Sequence, residues 1–243
     1  MSHYVVAVIS KKYVGKEVNS LLAKYDEDKR EVFKDCTKEV LDAWKTGKTE
    51  YDSEIDKSKY SSIEEFADSY FGYETISCGD YKEYGYYFNP DAKWDWYSIG
   101  GRWNELLKLK NSTKGVNFGQ VKDLDFNIDI NEYKRCKRFW ELYIEDQEPQ
   151  NEEERKIKAS GFYKKEYYIK RYKNKETYAK LTSEFSTFAV LTDKGWFEKG
   201  EMGWFGCSSE SHEESYDWDV SYYDRFIKDL DPETYITIVD CHI

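Results

Sequence analysis

The chain has 243 residues, with 48 Asp and Glu against 37 Lys and Arg for a net charge of −11, a balance that disfavours a general nucleic-acid binder held by phosphate contacts. Aromatic residues make up 18%, with 23 Tyr and 8 Trp, which predicts a core built from rings whose polar tips are hydrogen-bonded or turned outward; three Pro and 14 Gly are too few for a disordered or fibrous chain. No apolar run approaches the roughly 20 residues a membrane span needs, no signal peptide is seen, and Cys36, Cys78, Cys136, Cys207 and Cys241 are scattered without CxxC spacing, so a cytoplasmic protein with reduced thiols, no membrane contact and neither zinc knuckle nor disulfide framework is expected.

"HYVVAVIS" (3–10) is a β-branched run that predicts a buried strand. "GKEVNSLLAKY" (15–25) follows with Val18, Leu21, Leu22 and Tyr25 on one helical face. Residues 28–71 are charged and read as helical, with Val32, Phe33, Val40, Leu41 and Trp44 as an inner face. Residues 72–126 are turn-rich and aromatic, and 129–181 read as one or two long helices broken near Pro149 and Gly161. Within the latter, 155–180 is basic and rich in tyrosine. It reads as a solvated helix with inward-packed tyrosines, or else as a patch for an acidic partner or a single strand. "FSTFAVLTD" (185–193) predicts a strand with a hairpin partner at 196–200. "SYYDRFIKDLD" (221–231) carries Tyr222, Phe226, Ile227 and Leu230 at helical spacing, Asp231-Pro232 stops that helix, and 234–243 is a closing strand. The order βα…ββαβ predicts an α+β fold: a ferredoxin-like split βαβ sandwich from residues 1–25 and 185–243, with a large, mainly helical insertion at 26–184.

Three stretches could carry chemistry. "KWDWYSIGGRW" (93–103) concentrates Trp94, Asp95, Trp96, Gly100, Gly101, Arg102 and Trp103. Strand alternation places Trp94, Trp96, Ser98 and Gly100 on one face. Glycines in a strand mark a bulge or a close approach to the backbone, and Arg102 suits bidentate contact with a phosphate or carboxylate. The stretch thus reads as a ligand site for a planar anion, or as a buried strand with an internal Asp95–Arg102 pair. "KGEMGWFGCSSE" (199–210) offers Trp204 as a second aromatic wall, or a hairpin exit packed under the sheet; it fits neither a Walker loop nor a dinucleotide fingerprint, so no cofactor is implied. "VDCHI" (239–243) places Asp240 and His242 on one strand face, an acid–base or metal-binding pair, with His3 brought near if the first and last strands are neighbours. Cys241 faces the other way, with nothing local to activate it. No GxSxG, SxxK or HExxH is present.

"LLAKYDE" (21–27), "NPDAKWDWYSIGGRW" (89–103), "GWFEKGEMGWFG" (195–206) and "TIVDCHI" (237–243) together resemble a family of mostly uncharacterised proteins of bacteriophages and some bacterial genomes. Lys24 stands where the family form has proline. The resemblance carries no activity over residue by residue. It implies a phage setting, in which small acidic proteins act as counter-defence factors.

Three functions stand open. The first is a binding protein that sequesters a nucleotide-like anion between Trp94, Trp96, Trp103 and Trp204, with Gly100 and Gly101 offering N–H groups, Arg102 pairing with the anion and Asp95 orienting Arg102. The second is a nucleotide-degrading enzyme, a phosphodiesterase or glycohydrolase, with His242 as acid–base and Asp240 as its orienter. The third is an acidic inhibitor of a host defence protein acting through "SSESHEESYDWD" (208–219). A homo-oligomer is compatible with all three.

Overall fold

A computed structural model describes residues 2–12, 15–79 and 81–243, the side chains of Cys78 and Trp204 excepted. The fold is α+β, with two sheets and eight α-helices among the described residues. The chain divides into two compact units, Met1–Leu22 with Trp94–Ile243, and Ala23–Lys93.

The larger unit is built on β1 (His3–Ser10), β5 (Trp96–Ile99), β6 (Phe118–Gln120), β7 (Ala189–Thr192), β8 (Gly195–Glu198) and β9 (Tyr235–His242). The strand order is β5-β9-β1-β7-β8, with β6 also paired to β9. β1 runs antiparallel to β9 over its full length and parallel to β7. Their sequences explain the central positions, since β1 and β9 are buried on both faces along nearly their whole length. A strand buried in this way must pair both edges, because unpaired N–H and C=O groups away from water are costly. β1 covers one edge of β9, and β5 and β6 together cover the other.

One sheet face carries Ala7, Ile9, Val190, Ile236 and Ile238 and packs under Trp218, Tyr222 and Phe226 of α8 (His212–Phe226). The opposite face carries Tyr4, Cys241 and Tyr97, and the Tyr97 hydroxyl donates to Asn19 Oδ1 of α1 (Gly15–Leu22) at 2.6 Å. Between β6 and β7 this unit carries four helices: α4 (Ile130–Phe139), continued by a π turn at Trp140–Ile144, α5 (Glu152–Ala159), α6 (Lys165–Tyr172) and α7 (Lys175–Ser183). Its core is aromatic, with Phe139, Trp140, Tyr168 and Tyr178 around Cys136 and Ala179. The basic tyrosine-rich run therefore packs Tyr167, Tyr168, Tyr172 and Tyr178 against this core and leaves Tyr163 exposed, while Lys165 and Lys175 pair with Asp146 and Glu141.

The smaller unit holds β2 (Val32–Asp35), α2 (Thr37–Thr46), α3 (Ile63–Phe66), β3 (Glu74–Cys78) and β4 (Tyr81–Phe88), in a three-stranded sheet of order β2-β4-β3. Phe66, Val40, Ala43, Ile55, Ala67 and Tyr84 form its core.

Four expectations change. The split βαβ order is not formed: β1 lies directly beside β7, with β8 outside it. The apolar content decides this, since Ala189, Val190 and Leu191 of β7 are buried whereas every residue of β8 is only half-buried. Second, 94–126 belongs to the sheet-bearing unit through β5 and β6, so the separate unit is Ala23–Lys93 rather than 26–184. Third, Val32–Asp35 is a strand, and Leu41 is exposed while Val40 and Ala43 face the core. Fourth, the helix expected over 221–231 is α8, His212–Phe226, so residues 212–219 of the acidic run form its first half, capped by a reciprocal Ser211–Glu214 box, where carboxylates are favoured by the exposed N–H groups of the first turn. No helix among the described residues is long and apolar enough to cross a membrane.

Candidate functional site

The apolar face under α8 ends in polar residues. Alternation along β1 and β9 places His3, Asp240 and His242 on the same side as Ala7, Ile236 and Ile238. The ends of the two strands are tied by reciprocal bonds, Ser2 N–H to Ile243 C=O and Ile243 N–H to Ser2 C=O, both 3.0 Å. Ser2 and Ile243 are thus a hydrogen-bonded pair, and the adjacent pair His3–His242 is of the non-bonded type, whose side chains come closer. The two imidazole centroids lie 4.9 Å apart, edge to face. Trp96 of β5 sits directly across from His242, and its ring centroid lies 6.2 Å from that of His3 in a T-shaped arrangement.

Each imidazole is held at Nδ1 by its own carboxylate. His3 Nδ1 lies 2.8 Å from Asp240 Oδ1, and His242 Nδ1 lies 2.5 Å from Asp95 Oδ1. An ionised carboxylate only accepts, so Nδ1 carries the proton and Nε2 the lone pair in the neutral rings. Neither Nε2 has a hydrogen-bond partner among the described residues. The rings are mostly buried, 17% and 12% exposed for the His3 and His242 side chains. Each is fixed, yet keeps one nitrogen for chemistry.

The Gly-Gly-Arg turn completes the first dyad. Asp240 is 2% exposed, and its second oxygen accepts the Arg102 N–H at 2.9 Å. That contact explains the glycines: Gly100 and Gly101 both have positive φ, and a Cβ on Gly101 would sit 2.3 Å from Asp240 Oδ2 and 2.7 Å from Ser98 Oγ. Only glycine lets the chain close onto the carboxylate. Asn117 braces the turn, accepting the Glu105 N–H and donating to Asn104, while its C=O accepts the Ile238 N–H.

The expected site residues are thus redistributed. His3, Asp95, Asp240, His242 and Trp96 come together, and the pairing is crossed. Asp240 holds His3 rather than His242, and Asp95 holds His242 rather than Arg102. Arg102 contributes its backbone N–H, and its exposed guanidinium has no carboxylate partner among the described residues. Trp94 leaves the site: it is 8% exposed, donates its indole N–H to Leu22 C=O at 3.1 Å, and packs against Tyr97. The chain bends at Asp95, whose N–H bonds to His242 C=O, so Trp94 takes the Tyr97 side instead of the Trp96 side. Trp103 packs against the core under α8. The Trp204 side chain lies outside the described residues. Its loop is pinned beside the site, because Ser2 Oγ donates to Gly203 C=O and accepts the Gly206 N–H. Cys241 is fully buried on the far face, and burial pushes its thiol well above the ordinary range, so it is inert as a nucleophile. Asn117 has no signature in sequence, since its role depends on the strand edge it braces.

Among the described residues no three His, Cys, Asp or Glu side chains converge as a metal site. No protein-family profile, curated protein or solved structure matches the chain.

Proposed function

We propose that the two Asp–His dyads form an acid–base site that cleaves a phosphodiester bond in a nucleotide-like substrate. The observation that carries this reading is the pair of neighbouring imidazoles, each fixed at Nδ1 by a carboxylate and open at Nε2. One Nε2, unprotonated, takes the proton of the attacking hydroxyl as its oxygen bonds to phosphorus. The other, entering as the imidazolium, gives its proton to the oxygen that leaves as the second P–O bond breaks. Proton transfers of this kind contribute about 10²–10⁴-fold each. Asp95 and Asp240 keep the rings oriented and stabilise whichever is positively charged. The exposed Arg102 guanidinium supplies a donor for the phosphate oxygens, and the Trp96 ring, 52% exposed beside the dyads, offers a stacking face for a base.

In the phage setting implied by the resemblance, the substrate is a cyclic or linear oligonucleotide or an ADP-ribose derivative used as a host defence signal, met in the cytoplasm. Exposure of Trp96 also favours a second reading, sequestration without cleavage. Purified protein incubated with such a panel and followed by mass-resolved chromatography separates the two. Conversion to new masses, lost in both His3→Ala and His242→Ala, is expected. Ligand depleted and then recovered intact on heating supports sequestration, and turnover unchanged in both variants overturns the acid–base reading.

A further inference from the structure

A cavity of about 550 Å³ lies at the end of the same sheet opposite the dyads. It opens where β1 and β7, the parallel neighbours, both end, with Ile9, Ser10 and Thr192 at its edge. Crevices at the carboxyl ends of parallel strands are the usual ligand positions of βαβ units, and this volume is in the range of small-molecule sites. Ser10 at its edge is seven steps along β1 from His3, about 23 Å at strand rise, so it is no part of the dyad site.

Its floor is apolar and aromatic: Leu21 of α1, Phe197 of β8, Phe226 of α8 and Leu230. Its rim carries three cations, Lys11, Lys194 and Arg225. None of the three has a carboxylate partner among the described residues, in a chain of net charge −11. Arg225 is held by rings instead, its guanidinium 5.3 Å from the Trp218 centroid and 4.8 Å from that of Phe226. Ring contacts orient a guanidinium while leaving its N–H donors for a ligand. Of the two carboxylates at the cavity, Glu17 accepts the Lys12 N–H, and Asp193 sits in the β7–β8 turn.

We infer that this cavity binds a small organic anion, an apolar body bearing one terminal phosphate, sulfonate or carboxylate, with the body on Phe197 and Phe226 and the charge at Lys11, Lys194 and Arg225. The inference is independent of the dyads. Its test is titration of the intact protein with 8-anilinonaphthalene-1-sulfonate, with uncharged N-phenyl-1-naphthylamine as the matched control. Saturable one-to-one binding of the sulfonate is expected, at least tenfold tighter than the control. The K11Q/K194Q/R225Q triple variant is expected to lose at least tenfold in sulfonate affinity and none for the control. Lys194→Gln alone, an exposed turn position, is expected to lose several-fold with the melting temperature unchanged, which covers the case where the triple variant folds poorly. Leu21→Trp, which fills the cavity, is expected to remove binding of both probes. No saturable binding, equal affinity for both probes, or wild-type sulfonate affinity in the folded variants overturns the inference.

Discussion

At the scale of single residues, the site depends on two carboxylates in unlike surroundings. Asp240 is buried and receives two donors, the His3 ring and the Arg102 N–H. Asparagine there keeps one acceptor but turns an NH₂ toward another donor, so Asp240→Asn is expected to cost about 1–3 kcal/mol, the penalty of an unsatisfied buried group, in denaturant unfolding. The Asp95 side chain is 32% exposed, water can replace its bond, and Asp95→Asn is expected to lower turnover with less than about 1 kcal/mol lost. Equal destabilisation by the two changes would contradict the burial difference. Gly101→Ala is the sharper probe. It forces an L-residue into positive φ and drives a methyl into Asp240, with an expected loss of about 2–4 kcal/mol from strain plus overpacking. Sequence patterning brought out every residue of the dyads, including His3 through the neighbouring of first and last strands. The partners were not legible there, because alternation predicts Asp95 and Trp94 on fixed faces and the bend at Asp95 breaks alternation at that point.

At the scale of elements, the strands with strong apolar patterns were legible, and those defined by long-range pairing were not. β1, β7 and β9 carry β-branched residues bounded by turn signals, and β8 follows β7 across a tight turn. β5 and β6 are four and three residues long and exist because the buried edge of β9 needs partners, and the four residues of β2 are defined by their pairing with β4. Helix starts follow local chemistry, as at α4, where Asp129 accepts the N–H groups of Asn131 and Glu132 at 2.8 and 3.1 Å. Lys108 beside it, together with those N–H groups, draws the Asp129 carboxyl down to about 2. A depressed carboxyl stabilises the fold above its unfolded value near 3.8 and loses that contribution as pH falls through its folded value. Asp129→Ala is therefore expected to cost about 1 kcal/mol at neutral pH, the usual worth of a cap. The gap from wild type should begin to narrow below about pH 4 and close toward pH 2. A gap that is constant with pH would mean that the cap acts without its charge.

At the scale of the whole molecule, the two units have separate cores, one around Phe66 and Tyr84 and the other spanning the large sheet and α8. Their separation was not legible in sequence, since 26–184 reads as one insertion until β5 and β6 are seen to pair with β9. All four dyad residues belong to the larger unit, and so does the cation-rimmed cavity. Cores that share no residues need not unfold together. Phe66→Ala removes a fully buried ring from the smaller unit, a change worth about 3–5 kcal/mol. Hydrogen exchange should then show lost protection in Ala23–Lys93, while the amides of β1 and β9 keep theirs and the dyads keep their geometry. If β1 and β9 lose protection to the same extent, the chain unfolds as one cooperative body, and the dyad site then depends on a core that contributes no residue to it.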